Sequence, residues 1–193
     1  MGLGLLREGV NEVIATTAGN AAPMGIIIRN GKARMVVFRG GHTARRIEEQ
    51  GWVVANLIFD PVLFVQTAFE DLPPSSFVDE TVDGISMQRL AGVEAYVAFR
   101  ALVERRTTER LMVRLELLKE EMVAPVIHPV NRGFNSVIEA TVHATRYLLF
   151  RDPELRVWIN HYAAVIRKCG GPRELEALQL LLSYLGEQEE RKK

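Results

Sequence analysis

Apolar and polar residues alternate most regularly over positions 93–117. Val93, Ala95, Val97, Phe99, Ala101 and Val103 share one parity, with Glu94, Arg100 and Glu104 on the other. After a turn near Thr107-Thr108, Leu111, Val113, Leu115 and Leu117 alternate with Arg110, Arg114 and Glu116. A period of two is the mark of a strand with one buried face, so 93–118 reads as a long antiparallel hairpin. An apolar ladder of that length left as a free edge invites aggregation, so we expect a second subunit to cover it. Positions 10–17, 24–28, 33–38 and 52–59 read as further strands, the last apolar enough to be buried on both faces. Asn30-Gly31 is a strong hairpin signal between the second and third. A short helix is expected over 43–50, ended by Gly51, and another opening at Asp60-Pro61, with 72–76 a loop.

Beyond Asn131 the period becomes helical. Ile138, Thr141, Ala144, Tyr147 and Leu148 form one stripe, and Leu155, Trp158, Ile159, Tyr162, Val165 and Ile166 a second. Leu175, Leu178, Leu181, Leu182 and Leu185 form a third. Asp152-Pro153, Gly170-Gly171 and Pro172 punctuate them. Strands followed by helices predict an α+β fold: an antiparallel barrel over 1–125, then a C-terminal helical subdomain over 126–193 with a frayed tail from 187.

The charge balance narrows the partners. Lys plus Arg equals Asp plus Glu at 24 each, so the basic excess expected of a nucleic-acid binder is missing and no nucleic-acid partner is expected. The lone Cys169 fits a reducing, cytoplasmic setting. Positions 1–7 do not read as a signal peptide, and Leu6 stands where a myristoylation signal has Ser or Thr. Asp60 interrupts the most apolar stretch, so no membrane span is expected.

Two segments carry candidate chemistry. The first, Asn20-Ala21-Ala22-Pro23-Met24-Gly25, follows a strand ending in Thr16-Thr17. Small residues before a proline would let a flat aromatic ligand lie against the main chain. Asn20 could bond a ring edge, and the Thr16 and Thr17 hydroxyls a polar ligand. The plain alternative is a tight turn before a strand. The second, Gly40-Gly41-His42-Thr43-Ala44-Arg45-Arg46, stands between a strand and a helix, where unpaired N–H groups and the helix dipole favour an anion. The alternative is that Thr43 caps the helix and the arginines are solvated. Asn131-Arg132 could add a cation or merely cap a helix. Glu139 and His143 stand four apart but read as a surface pair, and His128 and His161 complete no zinc spacing, so no metal is expected. Cys169 reads as a packed or capping residue.

Taken together, Thr16-Thr17, Asn20-Ala21-Ala22-Pro23, His42-Thr43 and Val53-Val54-Ala55-Asn56-Leu57 resemble the FMN-binding split-barrel proteins, in particular their flavin-reductase-like branch. Asn131-Arg132-Gly133, Val137-Ile138-Glu139-Ala140 and Lys168-Cys169-Gly170-Gly171 extend the resemblance to the archaeal-type DUF447 family. It implies a split barrel that binds FMN in a groove between two subunits of a homodimer. Ring contacts would come from Asn20, Ala21, Ala22, Pro23 and Met24, phosphate contacts from His42 and Thr43, with Asn56 a further candidate. One departure stands out: Gly41-His42 replaces the Lys-Asp of the reductase pattern, so Arg45, Arg46, His42 or a residue from elsewhere, such as Arg132, must meet the phosphate charge. The implied activity is a flavin-dependent oxidoreductase using a small-molecule electron donor or substrate. The alternatives are a non-catalytic FMN-binding homodimer, or an interaction module presenting the leucine stripe at 175–185.

Overall fold

The computed structural model describes residues 4–190. In chain order these form β1 (Gly9–Thr17), β2 (Asn20–Arg29), β3 (Lys32–Phe38), α1 (His42–Gln50), β4 (Trp52–Leu57), α2 (Pro61–Phe69), β5 (Phe77–Val82), β6 (Ile85–Leu90), β7 (Ala95–Arg106), β8 (Arg110–Met122), α3 (Arg132–Phe150), α4 (Pro153–Cys169) and α5 (Pro172–Glu190). Contacts divide them into two units. One comprises residues up to 58 and 72–126; the other comprises 59–71 and the chain from 127 onward.

The first unit is a closed antiparallel barrel of strand order β1-β2-β3-β8-β7-β4. Its interior is filled by one parity of each strand, including Val13, Ala15, Ile26, Met35, Val53, Val97, Phe99 and Val113. Closure shortens the free edge expected at 93–118: β7 pairs with β4 over Ala95–Arg100 and β8 with β3 over Arg110–Leu115. Register shifts at Ala98/Phe99 and Val103/Arg105 interrupt the β7–β8 ladder, and such bulges give a barrel its curvature.

Two further features depart from the expected elements. Asn20 to Pro23 are not a turn but the opening of β2, with Ala22 opposite Ala15 and Pro23 opposite Ile14. β3 pairs with β2 only from Ile26 to Arg29, so Pro23 stands where one side of the strand carries no ladder. A strand tolerates proline in that setting. Residues 77–90, absent from the expected elements, form the hairpin β5–β6 around Asp83-Gly84, both left-handed at φ 50° and 73°. Two consecutive left-handed residues make the turn that matches strand twist, and Asp-Gly is its sequence signal. β6 lies against the outer face of β1 and β4, which explains why β4 is buried on both sides.

In the second unit α2 packs with α3, α4 and α5, although its sequence lies between two barrel strands. Val65 shares a core with Val137, Ala140, Ile159, Ile166, Leu178 and Leu181. Asp60 caps α2, accepting from the Val62 and Leu63 amides, and is gripped by Arg173 at 2.8 Å. Leu175, expected in the third stripe, is exposed; Ala177 and Tyr184 are buried instead. The expected fraying from 187 falls partly outside the described residues, and α5 continues to Glu190. Among the described residues no helix is long and apolar enough to cross a membrane.

Candidate functional site

Helix α1 begins without a side-chain cap. Gly41, in extended conformation, precedes it, and no acidic residue occupies its first turn. The positive end of its dipole therefore meets no capping side chain and no acidic residue, a setting that suits an anion. A Cβ at Gly40 would meet nothing within 4 Å, and one at Gly41 only the Phe38 carbonyl at 3.8 Å, so the approach is open. Thr43 is the second residue of the helix, which rules out the capping role. Its side chain turns inward, where its hydroxyl accepts from Asn20 Nδ2 at 3.0 Å. Asn20 also reaches Thr17 Oγ1 at 3.5 Å, and all three residues are buried. A hydroxyl has one donor, so Thr43 retains its O–H to give away.

The sequence candidates separate into two groups. Thr17 and Asn20 lie opposite each other at the end of the β1–β2 ladder and share the inward parity with Ala15, Ala22 and Met24. Met24 is half-buried and packs against the barrel core. Thr16, Ala21, Pro23 and Asn56 take the outward parity. There Asn56 is fully buried and its amide is consumed. It donates to the Ile14 carbonyl at 2.8 Å and to Thr16 Oγ1 at 3.0 Å, and accepts from the Leu90 amide at 2.8 Å. Thr16 donates to the Gln88 carbonyl at 2.5 Å. These two side chains fasten β6 to the barrel.

The cations around α1 are weakly engaged. Arg45 and Arg46 reach Glu49 at 3.5 and 3.7 Å, and Arg39 donates to the Thr107 carbonyl at 3.1 Å. His42 opens the helix and is exposed. Arg132 is exposed at the start of α3, in the helical unit, where Asn131 caps by accepting from the Gly133 and Phe134 amides.

Among the described residues no three His, Cys, Asp or Glu side chains are grouped as metal ligands would be. His143 instead stacks on Tyr162 and Trp158, with ring centroids 5.7 and 6.2 Å away, and its Nδ1 is buried without a partner. Burial holds its pKa below the ordinary histidine value, against the pull of Glu139.

Comparison with known proteins adds two findings. The N-terminal domain model of DUF447, a family described as of unknown function, matches residues 11–124, and its C-terminal model matches residues 131–183. The crystal structure of the FMN-bound protein MM1853 from Methanosarcina mazei, of the same family, is 35% identical. It covers 92% of this chain and 95% of its own, with a TM-score of 0.86. The 2-nitrobenzoate 2-nitroreductase NbaA of Pseudomonas fluorescens is 14% identical over 62% of this chain and 68% of its own, at a TM-score of 0.47. A likeness that weak speaks to neither activity nor substrate. Family models spanning both the barrel strands and the helices, together with a relative alike along nearly its whole length, lead to one assignment: the chain belongs to the DUF447 family.

Proposed function

We propose that this protein binds FMN, with its phosphate at the start of α1. The observation that carries the reading is the uncapped N-terminus of α1 beside the buried Asn20–Thr43 pair. The FMN-bound state of the Methanosarcina relative supports it. The residues present fit the group: a helix start with no side-chain cap, the Thr43 hydroxyl, and Arg39, Arg45 and Arg46 on weak or exposed partners. Glycines at 40 and 41 leave room for an anion to approach. The flavin ring would lie toward Ala21 and Pro23, whose parity places them on the outer side of β2.

Bound FMN would supply hydride or electron transfer at its ring, which needs no amino-acid nucleophile. The chain's own part is to bind, orient and shield. The proposed class is therefore a cytoplasmic flavin-dependent oxidoreductase acting with a small-molecule donor or acceptor.

Homodimerisation belongs to the same proposal, on grounds other than a free edge. The outer face of β3 and β8 exposes Val36, Phe38 and Met112, with Val36 and Met112 directly opposite each other. Contiguous exposed apolar side chains mark an interaction surface.

The test is a titration of the purified protein with FMN, followed by flavin fluorescence and the visible spectrum. Saturable binding, and bleaching of the bound flavin by NADH, NADPH or a deazaflavin, would support both parts. Binding without reduction by any donor would leave a flavin-binding protein and remove the oxidoreductase.

A further inference from the structure

The turn that delivers Asn20 to its place is held by two side chains outside the ligand contacts. Ala18 and Gly19 join β1 to β2, with Gly19 left-handed at φ 64°. The Ala18 amide donates to Gln50 Oε1 at 3.3 Å, and the Gly19 amide donates to Gln88 Oε1 at 2.7 Å. Gln50 is the last residue of α1, the helix that carries Thr43. Gln88 belongs to β6, and its own amide nitrogen donates to Asp79 Oδ1 at 2.9 Å. That second bond fixes which end of the Gln88 amide faces the turn.

We infer that Gln88, with Gln50, is a positioning residue for the cofactor site, locking the Ala18-Gly19 turn so that Asn20 meets Thr43. The inference rests on the reading that FMN binds at α1. Both amides of a two-residue turn are claimed by side-chain carbonyls, one from α1 and one from the hairpin β5–β6. Asn20 follows the turn directly, so the Asn20–Thr43 bond is set from both flanks. The hairpin thereby affects the site without touching a ligand. Thr16, donating to the Gln88 carbonyl, sets the height of Gln88 above β1.

Two substitutions in the full-length chain test this. Gln88→Leu keeps the bulk but removes both bonds, and should weaken FMN binding about tenfold, the size of one lost hydrogen bond. Gln88→Glu keeps an acceptor for Gly19 but sets a carboxylate against Asp79. Relative to the parent at each pH, its FMN affinity should be low at about pH 8 and recover at about pH 5.5. There a proton shared by the two carboxylates restores the missing donor. A purely structural role would produce no such pH profile. If the parent binds FMN and both variants match it within about twofold at either pH, the positioning role is overturned and the proposed function stands. Failure of the parent to bind FMN would instead defeat the proposed function. The positioning role would then be read from amide exchange in the apo-protein. Gln88→Leu should speed exchange at Gly19 about tenfold while leaving Val97 and Phe99 unchanged; unaltered exchange at Gly19 would overturn it.

Discussion

Asn20 and Thr43 meet through a 3.0 Å hydrogen bond between side chains 23 residues apart, joining the first residue of β2 to the second of α1. The bond is buried, so it does not compete with water, and it leaves the threonine O–H free to donate. It ties a strand end to a helix start whose backbone amides lack a cap.

Thr43→Val is therefore expected to weaken FMN binding by about 1–3 kcal/mol, the cost of an unmet bond to a charged group, whereas Thr43→Ser should retain most of the affinity. Fluorescence titration of the three proteins decides it. Equal affinity for the valine variant and the parent would remove Thr43 from the site.

Asn56→Ala should act on stability. It leaves the Leu90 amide and the Ile14 carbonyl without their side-chain partner in a fully buried location. The expected loss is about 3 kcal/mol, with each unsatisfied buried group costing about 1–3 kcal/mol. Urea unfolding gives the number; an unchanged midpoint would mean that β6 does not depend on Asn56.

Gly133→Ala should destabilise the helical unit more than its size implies. The added Cβ would stand 2.5 Å from Gly170 Cα and 2.8 Å from its backbone nitrogen, so no side chain can yield to relieve the clash. We expect a loss of about 3 kcal/mol, at the upper end of overpacking costs, read from thermal or urea unfolding. Native stability in this variant would show that the start of α3 and the end of α4 can separate without cost.

His143 makes stability depend on pH. Burial lowers its folded pKa below the unfolded value, so the unfolded chain binds its proton more readily. Stability from this residue is complete above the unfolded pKa, near about 6.5, and is lost as pH falls through the lower folded value. His143→Phe keeps a ring against Trp158 and Tyr162 but cannot titrate. Its unfolding free energy should fall less than the parent's between about pH 7 and pH 5. Parallel pH curves for the two proteins would clear His143 of this role.

The periodicities of this sequence determined the local elements, because strand and helix patterns depend on neighbours a few residues apart. The alternation at 93–117 becomes β7 and β8, and Asn30-Gly31, Asp60-Pro61 and Gly51 punctuate the chain where their chemistry requires. The Asp83-Gly84 turn was equally legible, since the signal is local, and it marks the hairpin that covers β4. Residue types also identified Thr17, Asn20 and Thr43, which the fold brings together. Tertiary structure alone decided what those elements meet. Barrel closure depends on pairing between strands far apart in sequence, so β4 and β3 occupy the edges that Ala95–Arg100 and Arg110–Leu115 present on paper. Strand parity, set by the register of β1 against β2 and β4, sent Thr16 and Asn56 outward under β6 and turned Met24 toward the core. Burial likewise moved α2 from its sequence neighbours to the helices, because Val65 finds its core among Val137, Ile159 and Leu181. In each case the residue's type was legible and its partner was not, since a partner is chosen by the packing of distant surfaces.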